Sequence, residues 1–306
     1  MSNNSIKRPL KLNIDNSIWP WTFNFNTTII LESYPKISII IPTFNQGEFI
    51  EETLRSIILQ NYPNLELIII DAESKDKTRE IINYYSDWVN IFISEPDHGQ
   101  SDAINKGWSM ANGEITNWIN SDDYLAPNTL NQVASIYNEQ NSDVLIAGNV
   151  LNFNSDNRNI KNLLIQRNIN LESILDFWSN SSNWHQPGIF FPMNLIRKKG
   201  YLNLEYHYSM DFDLLCKIVS NCNVVYSNEI FVYFRIHSNA KGVSSPDRTI
   251  EEKFTIHSNY SENRKGVFYY ISLLYWLMKI FLTPTLKINI KIKIFKSTTR
   301  FILNTI

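Results

Sequence analysis

Residues 36–71, KISIIIPTFNQGEFIEETLRSIILQNYPNLELIIID, decide the fold, because they place one helical pattern between two strand patterns. KISIII (36–41) and LELIIID (65–71) are short runs rich in β-branched residues, which is typical of strands buried on both faces. We expect Pro42 to end the first of them. Between the runs, apolar residues recur at helical spacing: Phe49, Ile50, Leu54, Ile57 and Ile58. The order strand, helix, strand predicts a parallel βαβ unit.

The same alternation continues along the chain. Further strand patterns stand at 90–94, 114–119 and 143–148, and helical patterns precede each of them. The prediction is an α/β fold, with a mostly parallel sheet flanked by helices. We divide the chain into an N-terminal leader that packs on the core (1–35), a main domain (36–245, with halves 36–148 and 149–245) and a C-terminal helical extension (246–306).

Composition narrows the class of protein. The chain has 306 residues, 43% of them hydrophobic, which is enough for a sizeable packed core. A net charge of -2 gives no electrostatic reason to expect nucleic acid as a partner. The two cysteines form no CxxC pair, and the N-terminal residues show no long apolar secretory segment. We therefore expect a cytoplasmic protein.

Polar residues collect where the predicted strands end. They are Thr43, Asn45, Asp71, Glu73, Glu95, Asp97, Asp122 and Asp123. Ligands of open α/β sheets bind at the carboxyl ends of the strands, so we expect a binding site there.

Two of these residues, Asp122 and Asp123, are adjacent carboxylates in the stretch NSDDYLAP (120–127). Such a pair suits a hard divalent cation, which takes oxygen ligands from one or two carboxylates and completes its shell with water or phosphate. The chain has neither GxxxxGK[ST] nor GxGxxG, so a metal would have to balance the charge of a phosphate ligand. The alternative is that SDD only caps the following helix.

Four blocks together carry a resemblance to a known family. They are residues 37–71, SEPDHGQSDAINKGWSMANGEITNWINSDD (94–123), HQPGIFF (185–191) and MDFDLLCKI (210–218). In this order and spacing they resemble the family 2 inverting glycosyltransferases over roughly residues 36–240. The resemblance implies the GT-A fold, a nucleotide-diphosphate sugar donor (a UDP-sugar above all), Mn²⁺ or Mg²⁺, and inversion at the anomeric carbon.

The resemblance also implies roles for individual residues. Asp211 is expected to be the catalytic base, within an acceptor site that includes His185 and Gln186. Metal ligation is expected from Asp123 first, with Asp122 and His237. Donor binding is expected from Pro42, Thr43, Asn45, Asp71, Glu73, Gln100, Asp102, Lys106, Asp122 and Arg235. The chain departs from the family at DAESKDKT (71–78), where Ala72 replaces an acid that often contacts the nucleobase.

Two other functions stay open at this stage. A sugar nucleotidyltransferase would share the sheet and the metal, but its first strand should be followed by a glycine-rich, basic loop; PTFNQGEF (42–49) has one glycine and no Lys or Arg. A non-catalytic scaffold protein at the membrane is supported only by the departure at 71–78.

The C-terminal residues 267–306 combine apolar and aromatic residues with positive charges. The apolar run from 267 to 286 is interrupted by Lys279 and is short for a spanning helix. It suits an interfacial segment on an anionic cytoplasmic membrane surface. That location fits a lipid-linked acceptor and a role in surface polysaccharide synthesis. The alternative is a helix packed on the main domain.

Overall fold

The computed structural model describes residue 20, residues 31–140, 143–179, 181–237 and 246–260, and scattered residues between 274 and 299. Most of the expected leader and most of the C-terminal segment 267–306 therefore lie outside the described residues.

Strands and helices alternate as predicted through the first half of the chain. The strands are β1 (Ile37–Thr43), β2 (Leu65–Asp71), β3 (Ile91–Ser94), β4 (Ile115–Trp118), β5 (Tyr124–Leu125), β6 (Val144–Asn154), β7 (Ile160–Leu164), β8 (Ile189–Pro192) and β9 (Asn223–Ile236). The helices are α1 (Ile50–Ile58), α2 (Thr78–Tyr84), α3 (Gln100–Met110), α4 (Thr129–Asn138), α5 (Leu171–Leu175), α6 (Met193–Lys199), α7 (Met210–Ile218) and α8 (Pro246–Tyr260).

The strands form one mixed sheet in the order β3-β2-β1-β4-β8-β6-β9-β5, with β7 paired to β6. Strands β1 to β4 are parallel to one another. Beyond β4 the sheet changes direction, because β8 runs antiparallel to both β4 and β6. The predicted α/β fold is confirmed, and its parallel part is the half that contains the first four strands.

Strand β1 is buried on both faces of the sheet. Ile37, Ile39 and Ile41 pack on one side with residues of α1, α2 and α4. Ile40 packs on the other side with Trp108 of α3 and with residues of α6 and α7. Helix α3 approaches so closely that a Cβ atom at Gly107 would lie 2.7 Å from Ile40 Cγ2.

The expectation that Pro42 ends the first strand is wrong. Pro42 pairs with Ile70 and the strand continues to Thr43. The nitrogen of Pro42 lies on the β4 side, where pairing between β1 and β4 ends at Ile40 and Trp118. The N–H that proline lacks therefore has no partner to lose.

Candidate active site

A cavity of about 640 Å³ opens at the carboxyl ends of the parallel strands. This volume is in the range of small-molecule binding sites. Five residues expected at a donor site line it: Pro42, Thr43, Glu73, Gln100 and Asp122. The topological rule for α/β sheets thus predicted the place of the cavity.

Asn45 and Asp71, also expected at the donor site, hold the cavity's loops together rather than lining it. Asn45 has a positive φ of 51°, and its side-chain oxygen accepts a hydrogen bond from the Lys75 N–H at 2.8 Å. Asp71 is fully buried and accepts from the Ser74 N–H and hydroxyl and from the Ser94 hydroxyl. A buried carboxylate needs such partners, and both oxygens of Asp71 have them.

Two further expected donor residues, on α3, lie away from the cavity lining. Asp102 accepts a hydrogen bond from the His98 N–H at 3.0 Å, and Lys106 pairs with Glu95. Gln100, at the start of the same helix, does line the cavity and donates to Asn120 Oδ1 at 2.7 Å. Only the first turn of α3 faces the cavity, because the helix runs away from it.

The adjacent carboxylates face in different directions. Asp122 lines the cavity, and its Oδ2 lies 3.0 Å from His237 Nε2. Asp123 is fully buried and accepts a hydrogen bond from the Arg235 backbone N–H at 2.9 Å. Burial and the neighbouring charge of Asp122 raise the pKa of Asp123. The carboxylate expected as the first metal ligand therefore points into the protein, and Asp122 is the one at the cavity.

Arg235, also expected at the donor site, is buried and is not among the residues that line the cavity. Its guanidinium is buried, donates from Nε to the Asp122 carbonyl at 2.8 Å and pairs with Glu52, which also pairs with Arg158. It stacks over Phe49 with 4.7 Å from Cζ to the ring centroid. Its hydrogen bonds and ion pair thus join β9, α1 and the 120–123 loop.

A second, smaller cavity of about 150 Å³ adjoins the first. The expected acceptor residues His185, Gln186 and Asp211 all line it. Three residues line both cavities: Gln100, Asn120 and Phe234. The aromatic residues Trp118 and Tyr208 also line the smaller cavity. The two cavities therefore lie side by side and share these three residues of their walls.

The polar side chains of the second cavity differ in their hydrogen bonding and in their pKa values. Gln186 donates to Asn117 Oδ1 at 2.8 Å and to the Trp118 carbonyl at 3.1 Å, so its amide is held in place. Burial and the charge of Lys253 lower the pKa of His185 to about 4, so the imidazole is neutral at pH 7. Its Nδ1 has no hydrogen-bond partner among the described residues. Burial raises the pKa of Asp211, and Lys253 opposes that rise.

The lining of the first cavity is acidic. It contains the carboxylates of Glu73, Asp97 and Asp122, and among its described residues there is no Lys or Arg. Within the described part of the chain, no cluster of three or more His, Cys, Asp or Glu residues could hold a metal. Asp122 and His237 offer two ligands, which fits Mg²⁺ or Mn²⁺ that completes its shell with ligand phosphates and water.

Several lining residues were not predicted. Asn120 is the first residue of the NSDD motif, and its place two residues before Asp122 could have identified it as a lining residue. Phe44, 57% exposed, and Phe234 carried no comparable signal. Glu252 and Lys253 of α8, which act on the region of Asp211, lie outside all four blocks of the resemblance.

Comparison with known protein sequences supports one family. The model described as Glycosyl transferase family 2 matches residues 38–201, more than half of the chain. An uncharacterized glycosyltransferase of Rickettsia typhi is 28% identical over 237 residues, which is 74% of this chain and 71% of that protein. The poly(ribitol-phosphate) β-N-acetylglucosaminyltransferase TarS of Staphylococcus aureus is 33% identical over 116 residues, 36% of this chain and 20% of TarS.

Solved structures agree on the fold. The structure of S. aureus TarS 1–349 in complex with UDP-GlcNAc has a TM-score of 0.65 at 19% identity, covering 87% of this chain and 80% of that one. The mannosyltransferase PcManGT of Pyrobaculum calidifontis, in complex with GDP-Man and Mn²⁺, has a TM-score of 0.56 at 16% identity, covering 89% and 76%. At these sequence identities the similarity shows a shared fold and nothing further.

Proposed function

The chain belongs to glycosyl transferase family 2, and from this membership we propose that it is a metal-dependent inverting glycosyltransferase. It moves a sugar from a nucleotide-diphosphate sugar to a hydroxyl group of a glycan or lipid-linked acceptor. One observation carries the proposal: the cavity that contains Asp122 and the cavity that contains Asp211 meet at Gln100, Asn120 and Phe234. A sugar bound at that boundary has a metal site on one side and a carboxylate base on the other.

The donor we propose is a UDP-sugar, bound in the larger cavity. The TarS structure, which contains UDP-GlcNAc, supports this choice, whereas the PcManGT structure contains GDP-Man. Thr43 lines this cavity, and its buried hydroxyl has no hydrogen-bond partner among the described residues. A polar atom left unpaired in this way is favourable for binding a polar ligand.

Asp122 and His237 would hold Mn²⁺ or Mg²⁺. When bound, the ion neutralises charge on the leaving diphosphate. It also offsets the repulsion between that diphosphate and the carboxylates of Glu73, Asp97 and Asp122.

Asp211 acts as the general base. Its ionised carboxylate accepts the proton of the acceptor hydroxyl while the hydroxyl oxygen forms a bond to the anomeric carbon. The bond from that carbon to the diphosphate oxygen breaks with its electron pair on the diphosphate. Attack from the face opposite the leaving group inverts the anomeric carbon in a single displacement. Burial favours the protonated form of Asp211 and raises its pKa, so the positive charge of Lys253 is needed nearby.

Thermal unfolding of the full chain with UDP, GDP, dTDP and CMP, each with and without Mn²⁺, tests the donor site. A ligand that binds only the folded protein at about 100 times its Kd adds about 2.7 kcal/mol of stability. We expect UDP to stabilise the protein only with Mn²⁺, and Asp122→Asn to abolish the effect. Asp87→Asn, at an exposed carboxylate, is the matched control. No metal-dependent stabilisation by any of the four nucleotides would overturn the proposal.

The family match favours transfer of a sugar over the nucleotidyltransferase alternative. The scaffold alternative makes a different prediction, namely that the wild-type protein binds a nucleotide but turns over no donor. Detection of free UDP released from UDP-sugars in the presence of acceptor preparations distinguishes the two.

We also propose that residues 267–306 lie on the inner face of the cytoplasmic membrane, where the enzyme acts in surface polysaccharide synthesis. Among the described residues, no helix is long and apolar enough to cross a membrane. Six apolar side chains described in the C-terminal segment are between 43% and 72% exposed: Leu274, Met278, Phe281, Ile288, Ile292 and Phe295. The segment from 263 onward contains no Asp or Glu, which favours an anionic surface.

A further inference from the structure

Helix α8 (Pro246–Tyr260) lies outside the family match at 38–201 and after the last residue of the resemblance, near 240. It nevertheless packs against α7, whose second residue is the proposed base Asp211. Two consecutive residues of α8 contact this region. Glu252 accepts hydrogen bonds from the backbone before α7, and Lys253 carries a positive charge that affects the pKa of Asp211.

Glu252 fixes the backbone that leads into α7. Its Oε1 accepts a hydrogen bond from the His207 N–H at 2.9 Å, and its Oε2 accepts from the N–H groups of Tyr208 and Ser209, both at 2.8 Å. Ser209 is the N-cap residue of α7, but its side chain makes no capping bond and donates instead to the Thr249 carbonyl of α8 at 3.0 Å. A carboxylate from another helix therefore binds the N–H groups just before α7.

These three consecutive bonds have a consequence for the site. The N–H donors belong to residues 207–209, and Asp211 follows two residues later. His207 and Tyr208 themselves line the smaller cavity with Asp211. Hydrogen bonds to a charged acceptor are the stronger kind, so Glu252 holds this wall of the acceptor site rigidly.

Lys253 places its ammonium group over the ring of Phe212, the residue that follows Asp211. Its Nζ lies 5.6 Å from the ring centroids of both Phe177 and Phe212. Burial lowers the pKa of Lys253, and the charge of Asp211 opposes that change. In the other direction, Lys253 opposes the rise that burial causes in the pKa of Asp211. Asp211 and Lys253 are both half-buried, and the attraction between their opposite charges favours both ionised forms.

Other titratable groups also face Asp211. They are Glu252 from α8, which raises the pKa of Asp211, and His185, His207 and Tyr208, which line the same cavity. His185 is neutral at pH 7 because its pKa is lowered to about 4. The negative charge of Glu252 favours protonation of Asp211, and the positive charge of Lys253 opposes it.

We infer that α8 is part of the acceptor site, in which Glu252 fixes the backbone that presents Asp211 and Lys253 brings a positive charge near the Asp211 carboxylate. This inference rests on the proposed function, because it assigns Asp211 as the base. Glu252 and Lys253 are positioning residues, since they act through Asp211 and its loop rather than on the reacting atoms.

The charge of Lys253 is tested by the pH dependence of the full-length enzyme. In Lys253→Met we expect the acid limb of the kcat profile to move to higher pH by about one unit or more, with KM for the donor unchanged. Lys253→Arg keeps the charge and should keep the wild-type profile. Lys198→Met removes an exposed basic residue and is the matched control. Lys253→Gln replaces the Met variant if the latter does not fold.

The role of Glu252 is tested by Glu252→Gln. The amide nitrogen of the glutamine side chain cannot accept a hydrogen bond, so at least one of the three bonds from residues 207–209 is lost. We therefore expect faster hydrogen exchange at the backbone amides of 207–209 and a lower kcat. The donor KM should not change, because the donor cavity lies on the other side of Asn120. Glu251→Gln, one residue earlier and exposed, is the matched control.

A measurement without turnover separates this inference from the proposed function. The ¹³C signal of the Asp211 carboxyl, assigned by its loss in Asp211→Asn, is followed against pH. A midpoint that rises in Lys253→Met supports the inference, and an unchanged midpoint overturns it, whether or not the wild type transfers sugar. Absence of transfer from any donor by a wild type with the expected titration would overturn the proposed function alone.

Discussion

The Oδ2 atom of Asp122 lies 3.0 Å from Nε2 of His237, although 115 positions separate the two residues. The short antiparallel pairing of β5 with β9 brings them together, because Tyr124 pairs with Tyr233 and Leu125 with Val232. Asp122 stands just before β5 and His237 just after β9. A carboxylate that lines the larger cavity thus meets an imidazole, and the first prediction concerns this pair.

Asp122→Asn and His237→Gln should each weaken Mn²⁺ binding in the presence of UDP by at least about tenfold. Loss of an outer-shell partner of a metal site alone typically costs 10–100-fold. Asp123→Asn should keep the metal dependence, since the Asp123 carboxylate faces the interior. Calorimetric titration of Mn²⁺ into each variant with saturating UDP measures the effect. The reverse ranking, with Asp123→Asn the most damaging to metal affinity, would restore the assignment made from the sequence.

Asp211→Asn should lower kcat by about 10²–10⁴-fold, the usual contribution of a general base. Stabilisation of the protein by UDP and Mn²⁺ should not change, because Asp211 lines only the smaller cavity. In the wild type, kcat should fall as the pH decreases through the pKa of Asp211, which burial raises above its ordinary value of 3.8. Asp156→Asn, at an exposed carboxylate, controls for the loss of a charge. A variant with normal turnover would remove Asp211 from the mechanism.

Arg235→Met should destabilise the folded protein by about 3–5 kcal/mol, because it leaves the carboxylate of Glu52 buried without its Arg235 partner. Lys75→Met removes one member of an exposed ion pair and should cost less than about 1 kcal/mol. Urea unfolding measures both. If Arg235 instead contacts the donor, the variant will lose UDP affinity with little loss of stability.

The pH dependence of stability offers a separate check on Glu52. Burial by itself raises its pKa, but the charges of Arg235 and Arg158 outweigh burial and hold the pKa below its ordinary value of 4.5. A depressed pKa means that the ion pairs stabilise the protein fully above that ordinary value and that the stabilisation is lost as the pH falls through the folded-state value. We expect the urea-derived free energy of unfolding to fall on acidification, and Glu52→Gln to reduce this slope.

The full chain should sediment with vesicles of equal parts phosphatidylglycerol and phosphatidylcholine, and less so as salt increases. Each lysine near an anionic surface contributes about 1 kcal/mol, so replacing Lys287, Lys293 and Lys296 with Gln should weaken binding by about a hundredfold. The same change at Lys75, Lys161 and Lys198, all exposed in the main domain, is the charge-matched control. Equal loss in both triple variants would indicate a general charge effect, and absence of vesicle binding would contradict the proposed membrane contact.

The local pattern of the sequence predicted the parallel half of the fold well. Strand β2 begins and ends at the predicted residues, Leu65 and Asp71, because a run of apolar β-branched residues can be stable only in a buried strand. The place of the larger cavity also followed, since parallel strands direct their carboxyl ends to one edge. Strands β5 and β7, of two and five residues, carry too little local pattern to be predicted.

The sequence by itself determined that this chain forms an α/β sheet with acidic residues at one edge, because strand and helix periods depend on near neighbours. It could not determine which carboxylate of Asp122 and Asp123 faces the cavity. That depends on pairing between β5 and β9, more than 100 positions apart. The tertiary structure likewise buried Arg235 against Glu52 and set Glu252 and Lys253 beside Asp211. These contacts join residues that are far apart in the chain. They produce no periodic pattern of residues, so the sequence alone does not indicate them.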